Sequence, residues 1–371
     1  MKSEWSDFKI ITYFMKKESK YNWTMVAFLS MCPIIGIFGT LIYALNYGVS
    51  FFEPVLLLVF WFLSGIGITM GYHRLFAHKS YRSNVILEWI LMVFGSLALE
   101  NTILKWVSDH RKHHSLSDTE HDPYSITKGF WHAHIGWIIK KSNNESSKIK
   151  GVKDLEKKSA IIFQNKYYLL IAFVFGFLLP LYIGYLFGRP IGGLLWGTFL
   201  RITIVHHATF FINSLCHYFG KRPYDLFSSA RDSWFVSLFT FGEGYHNYHH
   251  KFPSDFRNGV SWFAFDPSKW IISILSFFKV TTNLIRTQES LIFKSKFDTS
   301  FHLLKSKLET MSSFYQDNYK SKIDDLFEKS NQILLSWQEY EKKNNFQSSN
   351  FYRSQAKELF KNLKILNKQL I

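Results

Sequence analysis

Residues 50–78, SFFEPVLLLVFWFLSGIGITMGYHRLFAH, join a long apolar run directly to two histidines, and this stretch decides the fold. A helix needs about 20 mostly apolar residues to cross a bilayer. Residues 50–71 meet that requirement, and so do the stretches 24–46, 167–187 and 191–212. Since a very short link joins each neighbouring pair, the sequence predicts an all-α integral membrane protein with four transmembrane helices in two hairpins.

Lysine and arginine are distributed unevenly around these spans, and this bias predicts their orientation. The N-terminal tail and the large segments 73–166 and 213–371 are rich in lysine. In the two short links, by contrast, Arg189 is the one basic residue. Basic loops stay on the cytoplasmic side of a membrane. Both termini and both large segments are therefore predicted to be cytoplasmic, in a multi-pass protein with an even number of spans and a cytoplasmic active site.

The spans divide the chain into six predicted segments. They are the cytoplasmic N-terminal tail 1–23, the first hairpin 24–72, a catalytic segment 73–166, the second hairpin 167–212, a catalytic segment 213–280 and a basic helical extension 281–371. The two catalytic segments are predicted to form a helical cytoplasmic cap. The stretch 84–104 is also apolar, but Glu88, Glu100 and Asn101 interrupt it. This favours a helix that lies at the membrane interface or packs against the catalytic domain, with a fifth span as the alternative.

Composition narrows the class of protein further. Apolar residues make up 47% of the chain, aromatic residues 19%, and the formal net charge is +16. A basic surface suits anionic lipid headgroups or acidic partner proteins. No nucleic-acid-binding motif is visible, so nucleic acid is not an expected partner. Cys32 and Cys216 lie in or beside apolar segments and indicate neither a disulfide framework nor a thiolate metal site.

Histidines cluster just outside the apolar runs, and nine of the fifteen fall into four groups. The groups are His73 and His78, then His110, His113 and His114, then His217, and finally His246, His249 and His250. Neutral imidazole is the commonest protein ligand for metal ions. Nine imidazoles exceed what one ion uses, so a dinuclear site is the economical interpretation. Imidazole ligation without thiolates suits iron, copper, zinc or nickel, and the ligand set does not choose among them.

The spacing within each group predicts its geometry. Positions i, i+3 and i+4 share one face of an α-helix, so the spacing His-x-x-His-His of the second and last groups points three imidazoles in one direction. In the first group His73 and His78 are five residues apart, which places them about 140° apart on a regular helix. That group is predicted to straddle a helix end or to lie between two metal ions.

The histidine groups and the residues around them resemble the membrane-bound fatty acyl desaturases, and specifically the acyl-CoA delta-9 branch of that family. The matching motifs are GYHRLFAH (71–78), DHRKHH (109–114), SDT (117–119), DPY (122–124), HIGW (134–137), NS (213–214) with His217, and GEGYHNYHH (242–250). Order, spacing and flanking residues agree from about residue 71 to residue 253. A lone His-x-x-His-His motif is a weak signal, whereas this series is specific.

The resemblance implies a non-haem di-iron centre held by the nine histidines, with Asn213 reaching one iron through a water. It implies that a saturated long-chain acyl-CoA, dioxygen and two electrons give a cis double bond, at the delta-9 position, and water. The metal ions would carry this chemistry without a separate acid or base residue. The sequence shows no cysteine set for an iron–sulfur cluster, no Rossmann glycine motif and no haem-binding segment. Electrons would come from an external ferredoxin or b-type cytochrome with its reductase, and the basic surface would favour an acidic donor.

Substrate contacts also follow from the resemblance. Asn101 and Trp106 occupy family positions near the bend of a tunnel for the acyl chain, although Trp106 equally suits an interfacial anchor. Lys141 matches a basic residue that contacts the phosphates of the carrier. Ser108 stands where animal acyl-CoA enzymes carry an arginine, so an acyl carrier protein or a membrane lipid stays open as the carrier. His134 is expected to orient the site rather than to bind metal.

Two other functions fit parts of this pattern. A related di-iron site could hydroxylate an alkyl chain, and its product would retain oxygen in the lipid. A non-enzymatic membrane metal-binding or transport protein would spread its ligands along the spans. The histidines here cluster at the predicted cytoplasmic ends, and no series of acidic residues crosses the bilayer, which disfavours transport.

The C-terminal segment from about residue 281 is polar, rich in lysine and outside the resemblance. Six apolar residues recur there at spacings typical of an amphipathic helix: Ile323, Leu326, Phe327, Ile333, Leu334 and Trp337. We favour a helical cap that packs on the catalytic domain. A membrane-surface helix and a partner-docking arm are the alternatives.

Overall fold

The computed structural model describes residues 20–141 and 148–369, and most of its regular structure is helical. The predicted N-terminal tail therefore lies mostly outside the described residues. Two units divide the chain. The first unit comprises residues 1–64 and 96–214, and the second unit comprises residues 65–95 and 215–371.

Most of the regular elements in the two units are helices. They are α1 Trp23–Tyr47, α2 Phe52–Ala77, α3 Val85–Leu97, α4 Ile103–Leu116, α5 Trp137–Ile139, α6 Ser159–Leu186, α7 190–218, α8 Trp234–Phe239, α9 His246–Lys251, α10 Pro267–Phe277, α11 Glu289–Glu309, α12 Ser313–Lys342 and α13 Phe346–Gln369. Wider π-helical turns occur at Ile34–Gly39, Gly67–Ala77, His132–Gly136, Val174–Leu178 and Leu195–Leu200, and a 3-10 turn at Ile126–Lys128. Two short strands, β1 Arg82–Ser83 and β2 Thr281–Thr282, pair antiparallel with Arg82 opposite Thr282.

Three of these helices are long and apolar enough to cross a membrane. They are α1, α2 and α6, and they correspond to the predicted spans 24–46, 50–71 and 167–187. Helix α7 occupies the place of the predicted span 191–212, but Arg201 and two neighbouring histidines lie within it and lower its mean hydropathy. The described residues therefore give three candidate spans, and the fourth stays a prediction.

An ion pair with a buried carboxylate ties together the two short links of the first unit. The carboxylate of Glu53 is fully buried and lies 2.9 Å from Arg189 Nε. Arg189 also donates to the carbonyl oxygens of Tyr47 and Gly48, so the link after α6 is held to the link after α1. Only glycine allows this approach at position 192, because a Cβ on Gly192 would lie 2.0 Å from the Glu53 carboxylate.

Arg201 is a buried cation inside α7, and its partners explain how the helix accommodates it. Its guanidinium donates to the carbonyl oxygens of Gly197 and Gly176, at 3.2 and 3.3 Å, and to that of Leu97. It also donates to Ser64 Oγ at 3.3 Å. A buried charge is costly unless such acceptors surround it. The guanidinium therefore joins α7 to parts of α2, α3 and α6 within the first unit.

In the second unit the π-helical end of α2 packs closely on α3. A Cβ on Gly67 would lie 2.1 Å from the backbone nitrogen of Gly95, so the two helices approach at a distance that only glycine permits. The hydroxyl of Tyr81 donates to Met70 O at 2.9 Å and fastens the chain that leaves the helix. These contacts fix the turns of α2 that carry His73.

Helices α11, α12 and α13 form a bundle with its own apolar core. The buried core residues are Phe297, Phe301, Leu304, Leu308, Ile323, Leu326, Leu334, Trp337, Ala356 and Leu363. All six apolar residues predicted to line an amphipathic helix belong to α12 and pack in this core or against it. The amphipathic helix is confirmed. The bundle also contacts the preceding part of the second unit, where Ser295 Oγ donates to Tyr224 O at 2.6 Å.

Candidate metal centre

The first histidine group lies where α2 ends. The last turns of α2, Gly67–Ala77, are π-helical, and His78 caps them. A π-helix pairs residues i and i+5, and His78 N donates to His73 O at 3.0 Å. The wider turn brings the two rings to one side, with centroids 4.7 Å apart. The predicted helix end is confirmed, and the π-turn explains why the angle of about 140° for a regular helix does not apply.

Six of the predicted ligands form two sets within the second unit. In one set, ring nitrogens of His73, His78 and His249 lie within 4.8 Å of one another, and in the other set the same holds for His217, His246 and His250. Each set combines histidines from two of the sequence groups. The fold therefore assembles residues that are far apart in the chain, as a metal site requires.

The Nε2 atoms within these sets make unusually close contacts. His73 Nε2 lies 3.0 Å from His249 Nε2, and His246 Nε2 lies 3.0 Å from the Nε2 atoms of both His217 and His250. A neutral imidazole has one N–H and one lone pair, so a proton on His246 Nε2 serves only one of its two contacts. A metal ion placed among the three Nε2 lone pairs would satisfy all of them at once.

The second histidine group lies on α4, in the first unit. This helix begins after Thr102, whose side chain accepts a hydrogen bond from Lys105 N at 3.4 Å. His110, His113 and His114 follow at the predicted spacing, and the ring centroids of His110 and His114 are 4.7 Å apart. The helix thus carries the three imidazoles as the sequence predicts.

Polar side chains meet the Nδ1 atoms of several predicted ligands. His73 Nδ1 lies 2.9 Å from Glu243 Oε2, His113 Nδ1 lies 2.9 Å from Asp122 Oδ1, His217 Nδ1 lies 2.6 Å from Ser229 Oγ, and His110 Nδ1 lies 3.4 Å from the hydroxyl of Tyr124. A ring held through Nδ1–H keeps its Nε2 lone pair for a metal ion, which is the usual arrangement around histidine ligands. The donor set therefore fits metal binding through Nε2.

Glu243 connects the first histidine group to a buried polar network in the second unit. Its carboxylate lies 3.0 Å from Arg74 Nη2 and accepts a hydrogen bond from Asn258 Nδ2 at 2.6 Å, and Arg74 also pairs with Asp266 at 2.9 Å. Burial alone would raise the pKa of Glu243, but its interactions with His73 and Arg74 outweigh burial and lower that pKa. Glu243 therefore stands as an anion behind the imidazole of His73.

A buried amide within the last histidine group fixes the loop that precedes it. Asn247 Oδ1 accepts hydrogen bonds from the backbone nitrogens of Tyr224 and Asp225, and its Nδ2 donates to the carbonyl oxygens of Asp225 and Ala230, at 2.8 to 3.2 Å. The side chain is thus engaged four times and is fully buried. It holds the loop that carries Ser229, the partner of His217 Nδ1.

Asp232 supports the same short helix from its N-terminal end. Its Oδ1 atom accepts hydrogen bonds from the backbone nitrogens of Asn247 and Tyr248, at 2.8 and 3.1 Å. Burial raises the pKa of Asp232 to about 7, although these two hydrogen bonds oppose the rise. Helix α9 has only six residues, so it depends on such partners rather than on its own length.

Asn213 and His134 lie in the first unit. Asn213 is half-buried in α7, four residues before His217 in the same helix. His134 Nδ1 lies 3.0 Å from Ser214 Oγ, and its Nε2 lies 3.1 Å from His207 Nδ1. Burial and then the charge of His207 lower the pKa of His134 to about 4. His134 belongs to neither histidine set of the described residues, which fits the predicted supporting role.

The turn between α3 and α4 carries two predicted substrate residues. The stretch 84–104 does not form one helix, because α3 ends at Leu97 and Asn101 adopts a φ of 87° before α4 begins. Asn101 N donates to the hydroxyl of Tyr168 at 2.9 Å. Trp106 stacks on His110 with a centroid separation of 4.8 Å and an interplanar angle of 21°. Trp106 therefore lies directly beside a predicted ligand.

Glu100 is a polar residue of this turn that the sequence pattern did not assign to the site. Its Oε2 atom accepts from Trp106 Nε1 at 3.2 Å, and its Oε1 atom accepts from Thr209 Oγ1 at 2.7 Å. Burial raises the pKa of Glu100 to about 7, against the effect of both hydrogen bonds. In the sequence Glu100 shows only as an interruption of an apolar stretch, since Thr209 lies 109 positions away.

Ser108 and Lys141 bear on the predicted carrier site. Ser108 Oγ accepts a hydrogen bond from Lys150 N at 2.8 Å, so the residue at the position where the sequence departs from the animal enzymes holds a nearby loop. Lys141 is exposed, and its backbone nitrogen donates to Lys20 O at 3.0 Å. Its predicted contact with phosphates stays a prediction.

Comparisons with known proteins agree on one family. The Fatty acid desaturase family matches residues 52–273. Over 264 residues, 71% of its length, the chain is 40% identical to the probable acyl-CoA desaturase of Schizosaccharomyces pombe and covers 54% of it. Over 274 residues, 73% of its length, it is 36% identical to acyl-CoA desaturase 1 of Saccharomyces cerevisiae and covers 53% of it. It is 34% identical to human stearoyl-CoA desaturase over 267 residues, which are 70% of this chain and 71% of the human one. The chain thus spans about half the length of the two yeast proteins.

Proposed function

Because this chain belongs to the fatty acid desaturase family, we propose that it is a membrane acyl-CoA desaturase. It uses dioxygen and two external electrons to introduce a cis double bond, at the delta-9 position, into a saturated long-chain acyl-CoA. The observation that carries the proposal is the convergence of Nε2 atoms at 3.0 Å, between His73 and His249 and around His246. These histidines belong to the segment that the family matches.

Two iron ions are the proposed cofactor. Their ligands are His73, His78, His110, His113, His114, His217, His246, His249 and His250, with Asn213 contacting one ion through a water. Imidazole donors without thiolates suit iron, and the Nδ1 partners leave the Nε2 atoms available. When bound, the two ions would supply the activation of dioxygen that the removal of hydrogen from two adjacent methylene groups requires.

The residues of the chain hold the ligands and the substrate in position. Glu243, Asp122 and Ser229 keep three imidazoles oriented through their Nδ1 atoms. An unactivated methylene offers no polar group, so the position of the double bond depends on how the acyl chain is held. The protein therefore contributes placement, and no acid or base residue is required.

The turn before α4 shapes the tunnel for the acyl chain. Asn101 and Trp106 lie at its bend, and Glu100 fixes the indole of Trp106 through its N–H. Stacking on His110 keeps the same indole beside a ligand. Lys141 binds the phosphates of the CoA carrier from its exposed position.

The membrane arrangement follows the charge bias of the sequence. Helix α7 is the fourth span, and both termini with all the histidine groups lie on the cytoplasmic side. The lipid bilayer supplies the apolar substrate. The net charge of +16 favours an acidic electron donor, a ferredoxin or a b-type cytochrome with its reductase.

Expression in a desaturase-deficient host, followed by analysis of the fatty acids, tests the reaction. We expect a new monounsaturated acid with a cis delta-9 bond, and none from the His249→Ala variant. Absence of a new monoene in the presence of a working electron donor would overturn the proposal. A product that retains oxygen as a hydroxyl group would identify a hydroxylase instead.

A further inference from the structure

The last helix of the chain presents a row of lysines along one side. Lys357, Lys361, Lys364 and Lys368 follow the spacing i, i+4, i+7 and i+11, which keeps them on one face of α13 over roughly 16 Å. All four are exposed. We call them the lysine stripe. The opposite face of α13 is buried in the bundle core, where Leu363 packs.

The neighbouring helix α12 shows that this charge is unusual. Helix α12 carries six acidic and four basic residues, whereas α13 carries five basic residues and the single acid Glu358. On α12, Lys329 pairs with Asp325 at 2.7 Å. Within residues 20–141 and 148–369, no lysine of the stripe lies within ion-pair distance of a carboxylate. The positive charge of the stripe is therefore available to a partner.

The stripe is connected to the last histidine group through packed aromatic residues. Lys364 Nζ lies 4.7 Å from the centroid of the Phe360 ring, and Phe360 packs on Phe293 of α11 at 5.3 Å. Two residues further along α11, Ser295 donates to the carbonyl of Tyr224. The ring of Tyr224 lies 5.0 Å from that of Tyr248, between the histidines of α9. A partner on the stripe thus docks on a bundle that is anchored to the helix with the last histidine group.

The composition of this face favours a protein over a bilayer. An amphipathic helix binds a membrane by inserting its apolar face, but the apolar face of α13 is already buried in the bundle core. The large apolar side chains that stay exposed among the described residues of this helix are Phe346 at its first position, Phe351 and Ile365, and they are separated from one another along the chain. Isolated apolar side chains are ordinary on a protein surface, so the like charges are what this face offers to a partner. Charge complementarity directs the association of proteins.

We propose that the lysine stripe of α13 is the docking surface for the acidic one-electron carrier protein that reduces the metal centre. The proposal rests on the proposed function, since that reaction consumes two electrons from outside the chain. Two carrier molecules would each supply one electron, which together make up the two electrons that the reaction consumes. Because the family match ends at residue 273, this surface is a feature of the chain beyond the matched segment.

Stopped-flow reduction of the iron-loaded full chain in neutral-lipid nanodiscs tests the docking surface. The variant replaces the four stripe lysines by glutamine. The matched control replaces the four lysines of α12, Lys320, Lys322, Lys329 and Lys342, which are also exposed and change the net charge equally. Two donors are compared first on the unmodified protein: a reduced acidic ferredoxin and the reduced haem domain of an acidic b-type cytochrome. The donor that reduces the unmodified protein faster is then used for both variants.

We expect the stripe variant to be reduced at least about tenfold more slowly at low salt and to lose most of its salt dependence, while the α12 control keeps the unmodified rate. The proposal is overturned if both variants are reduced equally slowly, or if both keep the rate of the unmodified protein. Chemical reduction by dithionite must give the same single-turnover product in all three proteins. If dithionite supports no desaturation even in the unmodified chain, the proposed function fails, not the docking surface.

Flotation with vesicles that contain anionic lipid tests the alternative that the lysine stripe binds lipid headgroups rather than a carrier protein. The stripe variant is expected to bind such vesicles as the α12 control does. Loss of vesicle binding in the stripe variant, together with an unchanged rate of reduction by the carrier, would overturn the proposal and assign the stripe to lipid headgroups.

Discussion

Two helices of this protein carry the same spacing, His-x-x-His-His, and the structure supports them in different ways. Helix α4 has 14 residues and a side-chain N-cap, so it resembles an ordinary helix that carries histidines on one face. Helix α9 has only six residues, and the buried side chains of Asn247 and Asp232 hold it. A short helix is marginal alone. Identical motifs therefore place their imidazoles by different physical means, one local and one long-range.

The largest effects are expected where both helices are alike, at the predicted ligands. His110→Ala on α4 and His249→Ala on α9 should each abolish desaturation and lower the bound iron, because each removes an imidazole donor. Iron determination on the purified proteins and fatty acid analysis check this. His302→Ala, at an exposed histidine of α11, is the control and should retain both. Full iron content and activity in either ligand variant would remove that histidine from the ligand set.

The helices should differ most when their supports are removed. Asn247→Ala deletes four buried hydrogen bonds, and at roughly 1 kcal/mol for each bond we expect about 2–4 kcal/mol of lost stability. Thermal unfolding in detergent and iron content measure the effect. Asn318→Ala is a matched control, because that exposed amide makes a local bond to Phe314 O within α12. An equally small effect in both variants would show that α9 does not depend on its amide.

Much of the histidine arrangement was predictable from the sequence, because spacing on a helix is local. The shared face on α4 and the helix end at His78 follow from the periodicity of a helix. The π-turn that brings His73 and His78 to one side did not follow, since no residue type marks it. The pairing of histidines from different groups, and the roles of Asn247 and Glu100, depend on contacts between distant residues.

The spans show the same limit. Runs of about 20 apolar residues predict helices that can cross a membrane, and three such helices are present. Helix α7 contains Arg201, whose acceptors come from three other helices of the first unit. A hydropathy average cannot include those acceptors, so composition alone does not decide whether α7 spans. Of the bundle of α11 to α13, the sequence predicts only the amphipathic helix α12. The residues that pack against the apolar face of α12 come from other helices, and the periodicity of one helix does not identify them.

Substitution of the residues that orient the imidazoles should have an intermediate effect on metal affinity, both for the histidines of α4 and for His217. Ser229→Ala removes the partner of His217 Nδ1, and Asp122→Ala removes that of His113 Nδ1. Loss of such partners typically weakens metal affinity about 10- to 100-fold. Competition with a chelator measures the affinity, and Ser229→Thr, which keeps the hydroxyl, should restore it. Unchanged affinity in Ser229→Ala would indicate that packing alone orients His217.

Buried carboxyl groups near each helix predict how stability depends on pH. Burial raises the pKa of Glu100 from 4.5 to about 7 and that of Asp232 from 3.8 to about 7. Since the folded pKa exceeds the unfolded one, the stability that each group contributes is complete below its unfolded pKa and is lost as the pH rises through about 7. Between pH 4 and pH 8, the melting temperature of the unmodified protein should therefore fall relative to that of a variant that lacks one of these carboxyl groups. Glu100→Gln and Asp232→Asn should each show a smaller fall of the melting temperature with pH than the unmodified protein. If the melting temperature of either variant followed the pH in the same way as that of the unmodified protein, the raised pKa of that carboxyl group would be contradicted.

The smallest effect is expected at the cap of α4, and it gives the sharpest test of the contrast between the helices. Thr102→Ala removes one hydrogen bond of 3.4 Å to Lys105 N, and loss of an N-cap costs about 1 kcal/mol. Because α4 has 14 residues and several turns, we expect His110 to keep its place and the iron content to stay unchanged. Thr102→Ser should behave like the unmodified protein in thermal unfolding. If Thr102→Ala instead lowered the iron content as far as Asn247→Ala does, α4 would depend on a single terminal contact, and the distinction between a self-supported and an externally held helix would fail.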